Sequence, residues 1–208
     1  MASDQHLARS PVRPAEPVAI HAGWEVSKAD SLAPLRLSDL TPLTKILIRT
    51  ARTSPMGVSL GSEFGRAVRN KAGHLVAGTG PDEWLVISPA DTAASVMASV
   101  EGSDQAELAT VLDLTHGGVL FRLSGTDSQG VLEKLCAIDL SEDVTPDGAV
   151  FRSSVARITT DVIRDDVSGI RSYLLHADRA SGQYQFDALL DAGDEFNIAV
   201  DGYPDKEI

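Results

Sequence analysis

From Leu43 onward the chain spells one order of elements twice, and this internal repeat constrains the fold more than any other feature of the sequence. Apolar alternation and turn residues predict strand Leu43–Arg49, helix Gly61–Arg69, strands His74–Gly78 and Trp84–Ser88, helix Asp91–Val100 and strand Thr110–Thr115. The order then recurs as strand Val119–Leu123, helix Thr126–Ile138, strands Ser154–Ile163 and Ile170–Ala177, helix Ser181–Ala192 and strand Phe196–Val200. A βαββαβ order is that of ferredoxin-like folds, in which an antiparallel sheet carries helices on one face. A period of roughly seventy-five residues is too long for a solenoid and suits two fused half-domains. The expected architecture is α+β, two tandem ferredoxin-like βαββαβ units packed together, 31–117 and 118–208, preceded by an extended N-terminal arm, 1–30.

Turn chemistry supports this parsing. Gly80-Pro81-Asp82-Glu83 and Asp165-Asp166-Val167-Ser168-Gly169 each separate the two middle strands of a unit and predict hairpins. His116-Gly117-Gly118 joins the units, and glycine there admits the positive φ of a tight turn. Thr126 with Gln129 fits a capping box, Asp127 sits in the first turn, and Val131, Leu132, Leu135 and Ile138 recur at helical spacing. In the last helix Tyr184, Ala188, Leu189 and Ala192 share a face, with Gly193 as a left-handed stop. The arm holds Pro11, Pro14 and Pro17, and only Val18, Ile20 and Trp24 as anchors; it reads either as a disordered tail or as a strap across another subunit.

Composition then excludes partners. A formal charge of −12 opposes nucleic acid and anionic membranes, both of which need clustered Lys and Arg. No window approaches the roughly 20 apolar residues of a membrane span, and the N-terminus lacks a signal-peptide core, so a cytoplasmic protein is expected. Lys45, Arg49, Arg52, Arg66, Arg69 and Lys71 form a basic stretch, whereas Asp187 to Glu207 is acidic save for Lys206. Such runs usually mark solvated faces, and they can also orient a protein partner.

Few residues offer chemistry. His6, His21, His74, His116 and His176 show neither helical i, i+4 pairing nor the carboxylate neighbours of a metal site. Gly78-Thr79-Gly80 is followed by Glu83 rather than a third glycine, and by a strand, so it is not a dinucleotide loop. Cys136, the single cysteine, sits among Leu135, Ala137 and Ile138, a setting that suits a buried, unreactive thiol. Asp139 stands out because it follows a helix end, where the dipole disfavours negative charge. Its side chain either bonds the amides of the next turn near Ser141 or aims a carboxylate into a cleft.

Four segments carry a family resemblance: GPDEWLVI (Gly80–Ile87), GVLFRLSGTDSQGVLEKLCAIDL (Gly118–Leu140), ARITTDVIRDD (Ala156–Asp166) and YQFDALLDAGDEFNI (Tyr184–Ile198). Over about Leu43–Gly202 the chain resembles the folate-binding aminomethyltransferase fold of the glycine cleavage system, and more closely the gamma subunits of heterotetrameric sarcosine oxidases. The resemblance implies a non-catalytic subunit of an enzyme that oxidatively demethylates sarcosine to glycine, with formaldehyde or 5,10-methylenetetrahydrofolate and hydrogen peroxide as co-products. It implies direct docking on an alpha subunit, with beta and delta subunits as further partners. FAD, FMN, NAD, tetrahydrofolate and zinc would belong to those partners, and no cofactor or metal to this chain. Asp139 matches the motif aspartate of the aminomethyltransferases, but Ile138 replaces the preceding asparagine and removes hydrogen-bonding capacity, which implies a vestigial residue. The alternative implied is a free-standing folate-binding aminomethyltransferase-like protein that uses Asp139.

Overall fold

The computed structural model describes residues 7–101 and 109–204. Three strands open the chain: β1 (Ala8–Arg9), β2 (Val18–His21) and β3 (Trp24–Ser27), with β3 parallel to β1 and antiparallel to β2. The segment expected as an extended arm is thus a small sheet folded onto this chain's own core. Trp24 is buried as expected of an anchor, whereas Val18 and Ile20 face solvent and Val12 and Val26 pack inward. Residues 1–6 lie outside the described residues, as does the acidic end 205–208.

Next come β4 (Leu35–Asp39), β5 (Thr44–Arg49), α1 (Pro55–Leu60), β6 (Ala67–Arg69), β7 (Leu75–Gly80), β8 (Glu83–Ser88), α2 (Ala93–Glu101) and β9 (Thr110–Asp113). The strands after β4 build a five-stranded antiparallel sheet, β6-β7-β8-β5-β9. Leaving out β6, the neighbours are the second, third, first and fourth strands of a βαββαβ unit, the ferredoxin-like arrangement. The remaining elements are β10 (Gly118–Gly125), α3 (Ser128–Leu135), β11 (Val150–Val155), β12 (Ile158–Arg164), β13 (Ser172–Asp178), α4 (Gly182–Gly193) and β14 (Ala199–Asp201). Their six-stranded sheet runs β11-β12-β13-β10-β4-β14. Here β4 is wedged between β10 and β14, antiparallel to the first and parallel to the second. A strand that precedes the first repeat therefore completes the sheet of the second, and the two units are interlocked.

The two sheets face each other between two helical layers. Leu43, Leu75, Ala77, Leu85 and Ile87 of the first meet Leu120, Val150, Ile163 and Leu174 of the second, with Trp24, Val26 and Tyr203 closing the same cluster. Helices α1 and α2 cover Ile46, Ile48, Val76, Trp84 and Val86 on the outer face of the first sheet. Helices α3 and α4 cover Phe121, Leu123, Tyr173 and Leu175 on the outer face of the second. All six residues of β8 are buried because both of its faces are packed. Each fully buried Leu or Ile contributes roughly 1.5–3 kcal/mol.

Several local expectations are corrected. The first helix is Pro55–Leu60, not Gly61–Arg69: Ser54 caps it by accepting from the Gly57 amide at 2.9 Å, Pro55 opens it, and Gly61 ends it at φ 70. The strand expected at Ser154–Ile163 is a hairpin, β11–β12, turning at Ala156 and Arg157, both with positive φ. Neither Gly117 nor Gly118 adopts a positive φ. Glycine is needed at 118 for space, since a Cβ would lie 2.5 Å from His176 Nε2. The start of α3 has no side-chain cap, and Gln129 bonds Glu133 instead of reaching back. Tyr184 is 54% exposed, and Gln185, Phe186, Leu189 and Ala192 form the buried face of α4. The left-handed stop is Asn197 (φ 55), not Gly193.

Candidate functional site

Asp139 lies in the exposed turn after α3, and its Oδ1 accepts from the Ser141 amide at 2.9 Å. Hydrogen bonding by the Ser141 side chain and amide holds its carboxyl below the ordinary value. This local cap offsets the unfavourable helix end that made the residue conspicuous in sequence. Cys136 is buried in the α3–α4 core, and burial pushes its thiol pKa up. His116 stacks on Trp24 with ring centroids 4.7 Å apart and planes 9° from parallel, so the joint between the units clamps the N-terminal sheet. His21 packs against Tyr203, and His6 lies outside the described residues. Among the described residues no group of three or more His, Cys, Asp or Glu is arranged to hold a metal, and no helix is long and apolar enough to cross a membrane.

Sequence reasoning missed a charge network at the junction of the sheets, in which buried acids are held by half-exposed arginines. Glu83 on β8 accepts from Arg49 Nε at 2.7 Å, Arg152 Nη2 at 2.8 Å and Thr79 Oγ1 at 3.0 Å. Arg152 also donates through Nε to Asp161 at 2.7 Å, and the other oxygen of Asp161 faces His176 Nδ1 at 3.2 Å. The chain Arg49–Glu83–Arg152–Asp161–His176 thus bridges both sheets. Burial works to raise the carboxyl pKa of Glu83 and Asp161, but the surrounding hydrogen bonds outweigh it and hold both below the ordinary value. The same bonds raise the Arg152 guanidinium pKa, Asp161 contributing most. These acids lock the two sheets together, each already occupied by a cation. A two-residue alternation that puts charges on the apolar face of a strand, as in Arg152 and Asp161, is the only signal the sequence carried.

The basic stretch from Lys45 to Lys71 is not one face. Lys45 is fully buried, donating from Nζ to the carbonyls of Thr41 at 2.7 Å and Leu43 at 2.8 Å. Burial pulls its pKa down to about 7, against the opposing attraction of Asp39 and Asp113. Arg49 is spent on Glu83 and Arg69 on Asp165.

The principal cavity is a cleft of about 900 Å³ where the six-stranded sheet is left uncovered by its partner. Arg36, Ser38, Arg122 and Ser124 form its floor; the β12–β13 turn and the stretch after β14 form its walls. Arg122 is anchored by Asp165 Oδ2 at 2.8 Å and Ser172 Oγ at 2.7 Å, and Asp165 in turn holds Arg69 at 2.8 Å. Asp139 is not among the residues lining this cleft.

Comparison with known proteins places this geometry. The family described as the GCVT N-terminal domain matches residues 69–205. Sarcosine oxidase subunit gamma of Corynebacterium sp. (strain P-1) is 26% identical over 208 residues, covering 94% of this chain and 97% of that subunit. The solved heterotetrameric sarcosine oxidase from Corynebacterium sp. U-96, in complex with pyrrole 2-carboxylate, contains a chain that aligns with a TM-score of 0.70 at 21% identity. That alignment covers 82% of this chain and 89% of the other. The glycine cleavage system aminomethyltransferase T from Bartonella henselae aligns with a TM-score of 0.71 at 14% identity, over 94% of this chain but 60% of its own. At these identities the solved structures establish a shared fold.

Proposed function

The chain belongs to the GCVT N-terminal domain family, and on that footing we propose that it is a gamma-type subunit of a heterotetrameric sarcosine oxidase. The observation that carries the reading is end-to-end similarity to a named gamma subunit, covering 94% of this chain and 97% of the relative. In this reading the chain docks on the alpha subunit and stabilises it, in a cytoplasmic complex that also contains beta and delta subunits. The complex converts sarcosine to glycine, with formaldehyde or 5,10-methylenetetrahydrofolate and hydrogen peroxide as co-products. FAD, FMN, NAD, tetrahydrofolate and zinc reside on the other subunits, and this chain carries no active site of its own. The buried acids support a structural role, because Glu83 and Asp161 are held in ion pairs that tie the sheets together.

Co-expression with alpha and beta chains tests the proposal. The expected result is one complex whose interface with this chain buries upwards of about 2,000 Å². An oxidase that is equally active and equally thermostable after this chain is stripped from it would sink the idea. A folate-dependent site at Asp139 finds no support in the geometry, since the carboxylate caps its own turn outside the cleft. Asp139→Ala is accordingly expected to leave the ratio of formaldehyde to methylenetetrahydrofolate unchanged in the assembled enzyme.

A further inference from the structure

The floor of the cleft is a polar tetrad created by strand register. Pairing of β4 with β10 sets Arg36 opposite Ser124 and Ser38 opposite Arg122, so two guanidiniums and two hydroxyls alternate on one pleated face. The protein satisfies these four groups unequally. Arg122 is committed to Asp165 and Ser172. Among the described residues Arg36 keeps one ion pair, Nη1 to Asp201 Oδ2 at 3.6 Å, beyond ordinary hydrogen-bond length, with 35% of its side chain exposed. Most of its five N–H donors are therefore unused. Among the described residues the hydroxyls of Ser38 and Ser124 have no hydrogen-bond partner, although Ser38 is only 8% exposed. Donors and hydroxyls that the protein itself does not pair are open to a ligand that accepts from them in place of water.

The recess itself is of ligand size, since small-molecule sites run from roughly 300 to 1,000 Å³. Its exposed apolar wall is Val167 and Ile170, behind which Leu40 and Tyr203 are buried in the core. Val167 and Ile170 are 46% and 43% exposed there, large hydrophobic side chains for which the protein provides no cover. Asp30, Asp166 and Asp201 line the cleft beside Lys28 and Arg69, and of these acids Asp166 is already paired with Arg164 and Asp201 with Arg36.

We propose that this cleft binds a small molecule bearing one carboxylate, gripped by Arg36 and by the hydroxyls of Ser38 and Ser124, with its apolar or planar body against Val167 and Ile170. The planar guanidinium fork matches a carboxylate, and the exposed Val167 and Ile170 favour an occupant with an apolar body over inorganic phosphate. The site belongs to this chain alone and stands or falls independently of the subunit assignment.

Titration calorimetry on the full-length chain at constant ionic strength tests it with 2-naphthoate, uncharged 2-naphthamide and inorganic phosphate. Binding of 2-naphthoate is expected, with the amide and phosphate each weaker. Arg36→Gln should weaken it on the order of tenfold, and Ser38→Ala about threefold, while Arg13→Gln on the exposed surface leaves it unchanged. Circular dichroism confirms that each variant is folded; should Arg36→Gln misfold, Ser38→Ala carries the comparison. The proposal is overturned by no heat with millimolar 2-naphthoate, by equal binding of the amide or of phosphate, or by folded variants that bind like the parent.

Discussion

Replacing Glu83 by Gln probes the charge chain between the sheets while preserving shape. The carboxylate makes charge-assisted bonds to Arg49 and Arg152 at 2.7 and 2.8 Å, with its own side chain 11% exposed. Such bonds are worth about 1.5–3 kcal/mol each when shielded. The two arginine side chains remain 61% and 45% exposed, however, so water replaces part of each interaction and the figure falls to about 1 kcal/mol per bond. Glutamine still accepts from Thr79, which leaves an expected loss of about 2 kcal/mol near neutral pH. The pH dependence has a definite sign. Glu83 has a folded pKa below its ordinary 4.5, so its stabilisation is complete above that value and disappears as pH falls through the lowered folded value. Urea unfolding of parent and variant, near pH 7 and again at about pH 3, reads both effects. A penalty under about 0.5 kcal/mol at neutral pH would refute the reasoning, as would one that persists unchanged in acid.

Lys45, with a folded pKa of about 7 against 10.5 when free, releases its proton earlier in the folded state, so stability should rise with pH across that window. Lys45→Met should flatten this rise, which chemical denaturation at a series of alkaline pH values would check. Gly125→Ala should disrupt the β4–β10 crossover, because φ is +135 and a Cβ would meet the Pro34 carbonyl oxygen at 2.1 Å; loss of cooperative unfolding is the expected readout. Gly182→Ala would place a Cβ 2.6 Å from Pro11 Cγ and 2.7 Å from Val119 Cγ1. It should lift the N-terminal segment from α4, seen as faster tryptic cleavage after Arg9 with the rest of the chain intact.

Some elements were missed although their signals were present. Ser54-Pro55 followed by Gly61 spells an N-cap, a first-turn proline and a left-handed stop, a stronger local signal than Gly61–Arg69, which has glycine at two of nine positions. The Ala156-Arg157 turn carried no glycine, asparagine or proline, so nothing local announced that one strand was two. For Asp139 the position after a helix end was legible, and so was Ser141 as a local partner. The cleft was not, because Arg36 and Ser124 are neighbours only through the pairing of β4 with β10.

The sequence by itself determined the doubled βαββαβ order, the two glycine-containing hairpins and the apolar alternation of the inner strands, since each depends on contacts within a few residues. Only the tertiary structure decided that β4 inserts into the second sheet, that the N-terminal strands fold back around Trp24, and that Arg122 is spent while Arg36 is left exposed. These outcomes rest on pairings between residues far apart in the chain, where register chooses which side chains share a face, and local periodicity carries no record of that choice.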